Sequence, residues 1–288
     1  MSTAMAKLDA LPFKETLAER LAAGPGEATS LYWLGQAGFV IDAGGRRLVI
    51  DPYLSDSLAR KYRGTRFPHE RMAPAPVTPE ELGHVDLVLV THHHTDHMDG
   101  ETLSALASRL PALQFVVPAA SVVLAMERIG AGISRLTPVT AGDRRRIGGI
   151  TIDVFPAAHE IFEQNSFGWH RFLGYGIEAG SVRIFHSGDT VPFQGQAEEL
   201  RTYRPDLALL PVNGRRRELS EAGIAGNLSI GEAVNLCEQC EIPFMLAHHY
   251  GMFAFNTVPA AEIDAATETA AIRLRRADWQ TEYRLAPG

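Results

Sequence analysis

One stretch constrains this chain more than any other: VDLVLV at 85–90 runs directly into THHHTDHMDG at 91–100. A continuous apolar run of that length reads as a strand buried on both faces. An extended segment alternates its side chains, so His92 and His94 leave the strand on one side and His93 on the other. A turn after them can swing Asp96 and His97 alongside. Imidazoles and a carboxylate gathered in this way are ligands for divalent metals, with donors for two adjacent ions. The bland reading is a solvated loop that happens to be rich in histidine, and H-x-H-x-D-H at the end of a buried strand argues against it. Asp99 stands apart, because an Asp before GETL reads as the cap of the next helix.

The rest of the composition is that of an ordinary soluble globular protein. Its 288 residues are 45% hydrophobic and 21% charged, enough to bury a core without a disulfide or a metal. With 27 basic and 34 acidic side chains the formal charge is −7. That balance argues against broad electrostatic binding to nucleic acid or to an anionic membrane. No stretch approaches the ~20 apolar residues of a membrane span, and the N-terminal residues lack the apolar core of a signal peptide. The cytoplasm is the expected compartment, and the sequence allows a homo-oligomer. Cys237 and Cys240 form C-x-x-C, but within SIGEAVNLCEQC they read as residues of one amphipathic helix.

The chain repeats its own grammar. Residues 13–23 read as a short amphipathic helix, so 1–29 is expected to be a helical lead-in and 30–288 a single domain. LYWLGQAGFVIDAGGRRLVIDPYL reads as three strands, with Gly44-Gly45 as a hairpin turn. The Pro-rich 68–79 has no regular pattern. In the second half, FLGYGIEAGSVRIFHSGDT again reads as strand, glycine turn and strand ending in Asp, and PDLALLPVNG mirrors VDLVLVTHHH. Helices are expected over 195–203, 229–239 and 259–271. Two halves of hairpin, crossover and buried strand predict an α+β fold, a four-layer αββα sandwich whose strand ends converge at one edge.

Further metal donors stand at comparable strand ends. His159 follows DVFPAA, Asp189 closes FHSGD where a carboxylate could bridge two ions, and His248 and His249 follow the apolar MLA. Each alone reads as an ordinary polar residue. No G-x-S-x-G elbow is present, so serine-type acyl transfer has no support.

The order THHHTDH, AAHE, SGDT, HHYGMF resembles the metallo-β-lactamase-fold hydrolases, over residues from about 30 to 285. WLGQAGFVI, ERM, FHSGDT, the Asn213-Gly214 stretch and AHHYGMFAFN are most similar to the L-ascorbate-6-phosphate lactonase branch. The resemblance implies the αββα fold and hydrolysis by a metal-bound hydroxide, with two divalent ions, zinc or manganese. It implies that His92, His94 and His159 hold the first ion, that Asp96, His97 and His249 hold the second, and that Asp189 bridges them. The lactonase pattern carries an acidic residue near the position of His159, and an imidazole there makes the site softer and more tolerant of zinc. His248 becomes a pocket residue. Either His248 or His186 could pass a proton to the leaving oxygen, with Asp96 as a further catalytic candidate. Asp51, the mirror of Asp189, is expected to brace the turn before Pro52. The implied substrate is a small anion, a lactone or ester of a phosphorylated sugar acid. Alternatives are a phosphodiesterase and a metal-binding protein without turnover. Asn213 with Arg215, Arg216 and Arg217 could bind the phosphate, or the arginines could form a solvated basic loop paired with Glu218 and Glu221. Trp33, Trp169 and Phe253 could wall the pocket or belong to the core.

Overall fold

The computed structural model describes residues 6–288. The first half comprises β1 (Lys7–Pro12), α1 (Leu17–Ala22), β2 (Thr29–Gly35), β3 (Gly38–Ala43) and β4 (Arg46–Ile50). It continues through α2 (Ser57–Lys61), β5 (Leu87–Leu89), α3 (Gly100–Arg109), β6 (Gln114–Pro118), α4 (Val122–Ile129) and β7 (Leu136–Val139). The second half opens with β8 (Arg144–Ile147), β9 (Ile150–Pro156), β10 (Leu173–Ala179), β11 (Val182–His186), α5 (Gln196–Tyr203) and β12 (Leu207–Pro211). It ends with α6 (Arg217–Glu221), α7 (Ile230–Gln239), β13 (Phe244–His248), α8 (Ala260–Thr267), β14 (Arg273–Arg276) and β15 (Thr281–Ala286).

Two sheets form, ordered β1-β15-β2-β3-β4-β5-β6-β7 and β14-β13-β12-β11-β10-β9-β8. Strand alternation decides what lies between them. Leu31, Phe39, Leu48 and Leu87 join Ile152, Tyr175 and Ile184 of the second sheet in one apolar core. The neighbouring residues Tyr32, Val40, Val49 and Val88 point the other way and pack with Leu21 of α1, Leu103 and Leu106 of α3 and Ile129 of α4. Beyond the second sheet, Leu200, Leu236 and Ile263 bring in α5, α7 and α8. The layers are therefore helix, sheet, sheet, helix, as expected. Each such side chain contributes roughly 1.5–3 kcal/mol by leaving water.

The repeated grammar is real. In the first half, β3 and β4 form an antiparallel hairpin and β4 then pairs in parallel with β5. In the second, β10 and β11 form the hairpin and β11 pairs in parallel with β12. The N-terminal stretch departs from expectation. Its helix is there, capped by Thr16 with Glu19 in a reciprocal box. Ahead of it, however, Lys7–Pro12 is a strand paired antiparallel with Thr281–Ala286. Over its described residues, 6–29, the expected lead-in is thus not purely helical, since Leu8 enters the core and β1 belongs to the first sheet; residues 1–5 of that expectation lie outside the described residues. Among the described residues no helix is long and apolar enough to cross a membrane.

Arg47 ties the first hairpin to its surroundings from a fully buried position. Its Nε and Nη2 donate to the two oxygens of Asp42 at 2.8 Å each. Its Nη1 donates to the carbonyls of Leu21 and Leu82 at 3.0 and 2.8 Å. Removing the cation strands a buried carboxylate and two carbonyls. Arg47→Met is therefore expected to lower stability by about 3–5 kcal/mol. A urea titration reads this directly, and an unchanged midpoint would refute the role.

Candidate metal centre

Parallel pairing aligns the ends of the site strands. His92 follows β5, Asp189 follows β11 and His159 follows β9, each within three residues of its strand. His249 comes immediately after β13, at φ 61°. The sheets are stitched together beside these ends, where the Tyr175 hydroxyl donates to the Val90 carbonyl at 2.8 Å. The turn that presents Asp189 needs its glycine. Gly188 has φ +60°, and a Cβ there would lie 2.4 Å from the Leu173 carbonyl oxygen.

Seven side chains converge. His92, His94 and His159 form one group able to hold a metal, His92, His97 and Asp189 a second, and Asp96, His97 and His249 a third. Within each group the donor atoms lie within 4.8 Å of one another. Asp189 is central, with Oδ2 at 3.2 Å from His249 Nε2, 3.3 Å from His97 Nε2 and 3.8 Å from His159 Nε2. His92 Nε2, His97 Nε2 and Asp189 Oδ1 are buried without any hydrogen-bond partner.

A second ring of groups orients the first. Asp51 does more than brace a turn. Its Oδ2 accepts from His97 Nδ1 at 2.7 Å and from the Thr91 hydroxyl at 2.5 Å, while Oδ1 accepts from the Thr91 amide at 2.8 Å. Such a partner fixes the tautomer and leaves Nε2 as the free donor atom. Gln36 was given no role from sequence. Its side-chain amide donates to Asp96 Oδ2 at 2.9 Å, and its carbonyl accepts from the His249 amide at 2.9 Å. Arg128, also missed, donates to the carbonyls of His93 and Met98 at 2.6 and 3.1 Å and clasps the histidine loop. Asp99 caps α3, accepting from the Thr102 amide.

Other expected residues lie elsewhere. His186 cannot relay a proton into the site. Its Nε2 donates to the Ala37 carbonyl at 2.9 Å, its Nδ1 accepts from the Gly188 amide at 3.0 Å, and the ring is buried. His248 is also buried, stacked on His186 at 4.9 Å and edge-on to Phe39 at 5.6 Å. Of the adjacent pair, His249 reaches the cluster and His248 faces the core. The three arginines are turned away from the cavity. Arg215 bonds Asn227 and Glu232, Arg216 the Phe255 carbonyl, and Arg217 Glu221. Asn213 lies behind the wall, donating to Asn256 Oδ1 at 3.0 Å. Trp33 stacks between Tyr250 and Trp279 in the core, Trp169 is on the surface, and Phe253 does line the pocket.

The cluster floors a cavity of about 580 Å³. Tyr62, Phe67, His69 and Phe253 supply aromatic wall, and Lys61 and Arg66 supply positive charge. A profile of the beta-lactamase superfamily domain matches residues 46–250. The chain belongs to the metallo-β-lactamase superfamily. Relatives include a UPF0173 metal-dependent hydrolase of Caldivirga maquilingensis, 31% identical over 64% of this chain and 70% of the relative. Another, from Archaeoglobus fulgidus, is 27% identical over 89% and 95%. These assign a metal-dependent hydrolase of that superfamily. Among solved structures, an isothiocyanate hydrolase from Delia radicum gut bacteria has TM-score 0.71 at 19% identity, covering 88% of this chain and 97% of that one. A metallo hydrolase from Ignicoccus hospitalis has TM-score 0.68 at 19% identity, covering 91% and 99%. Both establish the shared fold.

The electrostatics of the superfamily site set a pH signature for the metal-free chain. Burial lowers the His159 imidazole to about 4, against the pull of Asp189. Burial also disfavours charged His97, but Asp189, Asp51 and Asp96 outweigh it and raise the ring well above its ordinary value. An unfolded histidine titrates near 6.5. Between roughly pH 6.5 and 4 the unfolded chain binds a proton that folded His159 refuses, so stability falls as pH drops. Above roughly pH 6.5 folded His97 keeps a proton that the unfolded chain releases, so its contribution declines as pH rises. Chelated protein should therefore lose resistance to urea as pH falls from about 6.5, and His159→Gln should make that acid limb shallower while buried His92, His93, His94, His186 and His248 keep the rest of it. A midpoint independent of pH across 4–6.5 would refute this account.

Proposed function

We propose that the chain is a two-ion hydrolase acting on a small anionic ester or lactone. The observation that carries this is Asp189, whose Oδ2 lies within 3.8 Å of Nε2 on His97, His159 and His249. In this reading His92, His94 and His159 hold one divalent ion, Asp96, His97 and His249 hold a second, and Asp189 serves both. Zinc or manganese suits the mixture of imidazole and carboxylate. The donors fit such ions, because buried polar atoms without partners are rare and three of them point into this cluster. When bound, the ions acidify a water and polarise the oxygen of the group under attack.

The chain's own residues supply geometry and charge. Asp51 and Gln36 fix His97 and Asp96 in place. Lys61 takes over the part expected of Arg215–Arg217, since it lines the cavity and makes no ion pair among the described residues. Arg66 beside it pairs with Glu218 at 2.5 Å across exposed ends. A phosphorylated sugar-acid lactone is one member of the substrate class that this rim suits. A phosphodiester is the rival, because the same donors serve phosphoryl transfer.

Metal analysis and a substrate panel test the reading. Purified protein should carry up to two divalent ions and lose turnover to a chelator. Asp189→Asn should retain the fold while losing an ion and at least ~10²-fold in kcat/KM. Near-normal activity and stoichiometry in that variant would overturn the shared-ligand assignment. The panel sets a lactone against bis(p-nitrophenyl) phosphate, a thioester and benzyl isothiocyanate, and preference for another class would displace the lactone.

Removing the rim charge is a separate test. A charge-assisted hydrogen bond is worth roughly 1.5–3 kcal/mol, so Lys61→Ala should cost about 10–150-fold in kcat/KM on a carboxylated lactone. Arg217→Ala should cost nothing there. Equal behaviour of the two variants would remove Lys61 from substrate binding.

A further inference from the structure

The cavity lining carries two polar groups, His69 and Asn256, that belong to none of the metal-donor groups and each make one side-chain hydrogen bond to the protein. His69 lines the cavity, stacked on Tyr62 at 4.3 Å and edge-on to Phe253 and Phe255 at 5.1 and 4.8 Å. Its Nδ1 lies 2.9 Å from the Phe67 carbonyl oxygen. A carbonyl only accepts, so Nδ1 carries the hydrogen and Nε2 is left as a bare acceptor. Burial lowers this imidazole below its ordinary value, against the pull of Asp96, so the ring is neutral near pH 7. Among the described residues nothing hydrogen-bonds to Nε2.

Asn256 is the complement, next in sequence to Phe255, which packs on His69. It lines the same cavity yet is only 7% exposed. It ends a relay of three asparagine amides. The Asn227 side-chain amide donates to Asn213 Oδ1 at 3.0 Å, and the Asn213 amide donates to Asn256 Oδ1 at 3.0 Å. With Oδ1 occupied, Asn256 has its NH2 group left to offer a ligand. The lining thus offers an acceptor on His69 and a donor on Asn256. A hydroxyl group is the small function that answers both at once.

We infer that His69 and Asn256 form a hydroxyl-recognition subsite, so that the substrate carries a hydroxyl donating to His69 Nε2 and accepting from Asn256 Nδ2. This rests on the reading of the cavity as the hydrolase's substrate site and names a feature of the substrate. The rings of Tyr62, Phe253 and Phe255 pack around His69. A ligand of equal length without the hydroxyl leaves both unpaired, which is how polar sites reject apolar analogues.

The test is binding, independent of which bond the enzyme cleaves. Zinc-loaded protein is titrated calorimetrically with butyrate and with 2-, 3- and 4-hydroxybutyrate, whose carboxylates mimic a hydrolysis product at the metals. At least one hydroxylated acid should bind about 10–100-fold tighter than butyrate. His69→Phe, which keeps a ring but loses the acceptor, should abolish that preference. Asn256→Leu should do the same, and His69→Gln, whose amide oxygen can accept, should restore part of it. Four equal affinities in the wild-type protein overturn the subsite without recourse to any variant. So does a preference that survives His69→Phe. Failure to hydrolyse any ester, lactone, thioester or phosphodiester would instead count against the hydrolase reading, and the binding comparison would stand or fall separately.

Discussion

The ring of His97 is clamped between two buried carboxylates, and the centre is organised around it. Asp51 holds Nδ1 and Asp189 approaches Nε2, at 2.7 and 3.3 Å. Each carboxylate belongs to a different half of the chain, one after β4 and the other after β11. Neither would be tolerated there alone, because an unpaired charge out of water is far costlier than any packing gain. The clamp therefore ties the two sheets at their shared edge. Burial opposes ionised Asp189, yet His249 and His97 hold its carboxyl well below the usual range. The same contacts keep the site charged.

Much of this was legible in the sequence because it is local. H-x-H-x-D-H lies within six residues, so strand alternation followed by a turn is enough to gather its side chains. The hairpins, the parallel crossovers and the helices were likewise written in short-range periodicity. His159 and Asp189 were found by their positions at strand ends, which left His248 and His249 open until the family resemblance chose between them. What stayed hidden depends on contacts distant in sequence. Gln36 reaches Asp96 across 60 residues and Arg128 reaches His93 across 35. His69 and Asn256 come from irregular segments on opposite sides of the metal motif. Only a folded chain brings them to one cavity.

The misplacements have physical reasons as well. Adjacent residues at a strand end point in opposite directions, so His248 and His249 cannot both face the donor cluster. The left-handed backbone at His249 turns that ring inward and commits His248 to the core. Arg215–Arg217 do follow a site strand, β12, as the pattern suggested. Local partners, above all Glu232 and Glu221, then take up guanidinium groups that the sequence leaves free to be read as substrate contacts. The strand at Lys7–Pro12 was missed because six residues with one clearly buried side chain carry almost no periodic signal.

That strand has a consequence for the order of assembly. In the first sheet β15 lies between β1 and β2, so residues 281–286 fill a slot flanked by segments translated long before them. Until they leave the ribosome, β2 presents an unpaired edge and β1 has no neighbour at all. Local hairpins can close early, but this seam is among the longest-range contacts in the chain and must close late. From the synthesis of β2 until that of β15 the nascent protein therefore carries an open sheet margin, the kind of surface that invites pairing with another chain.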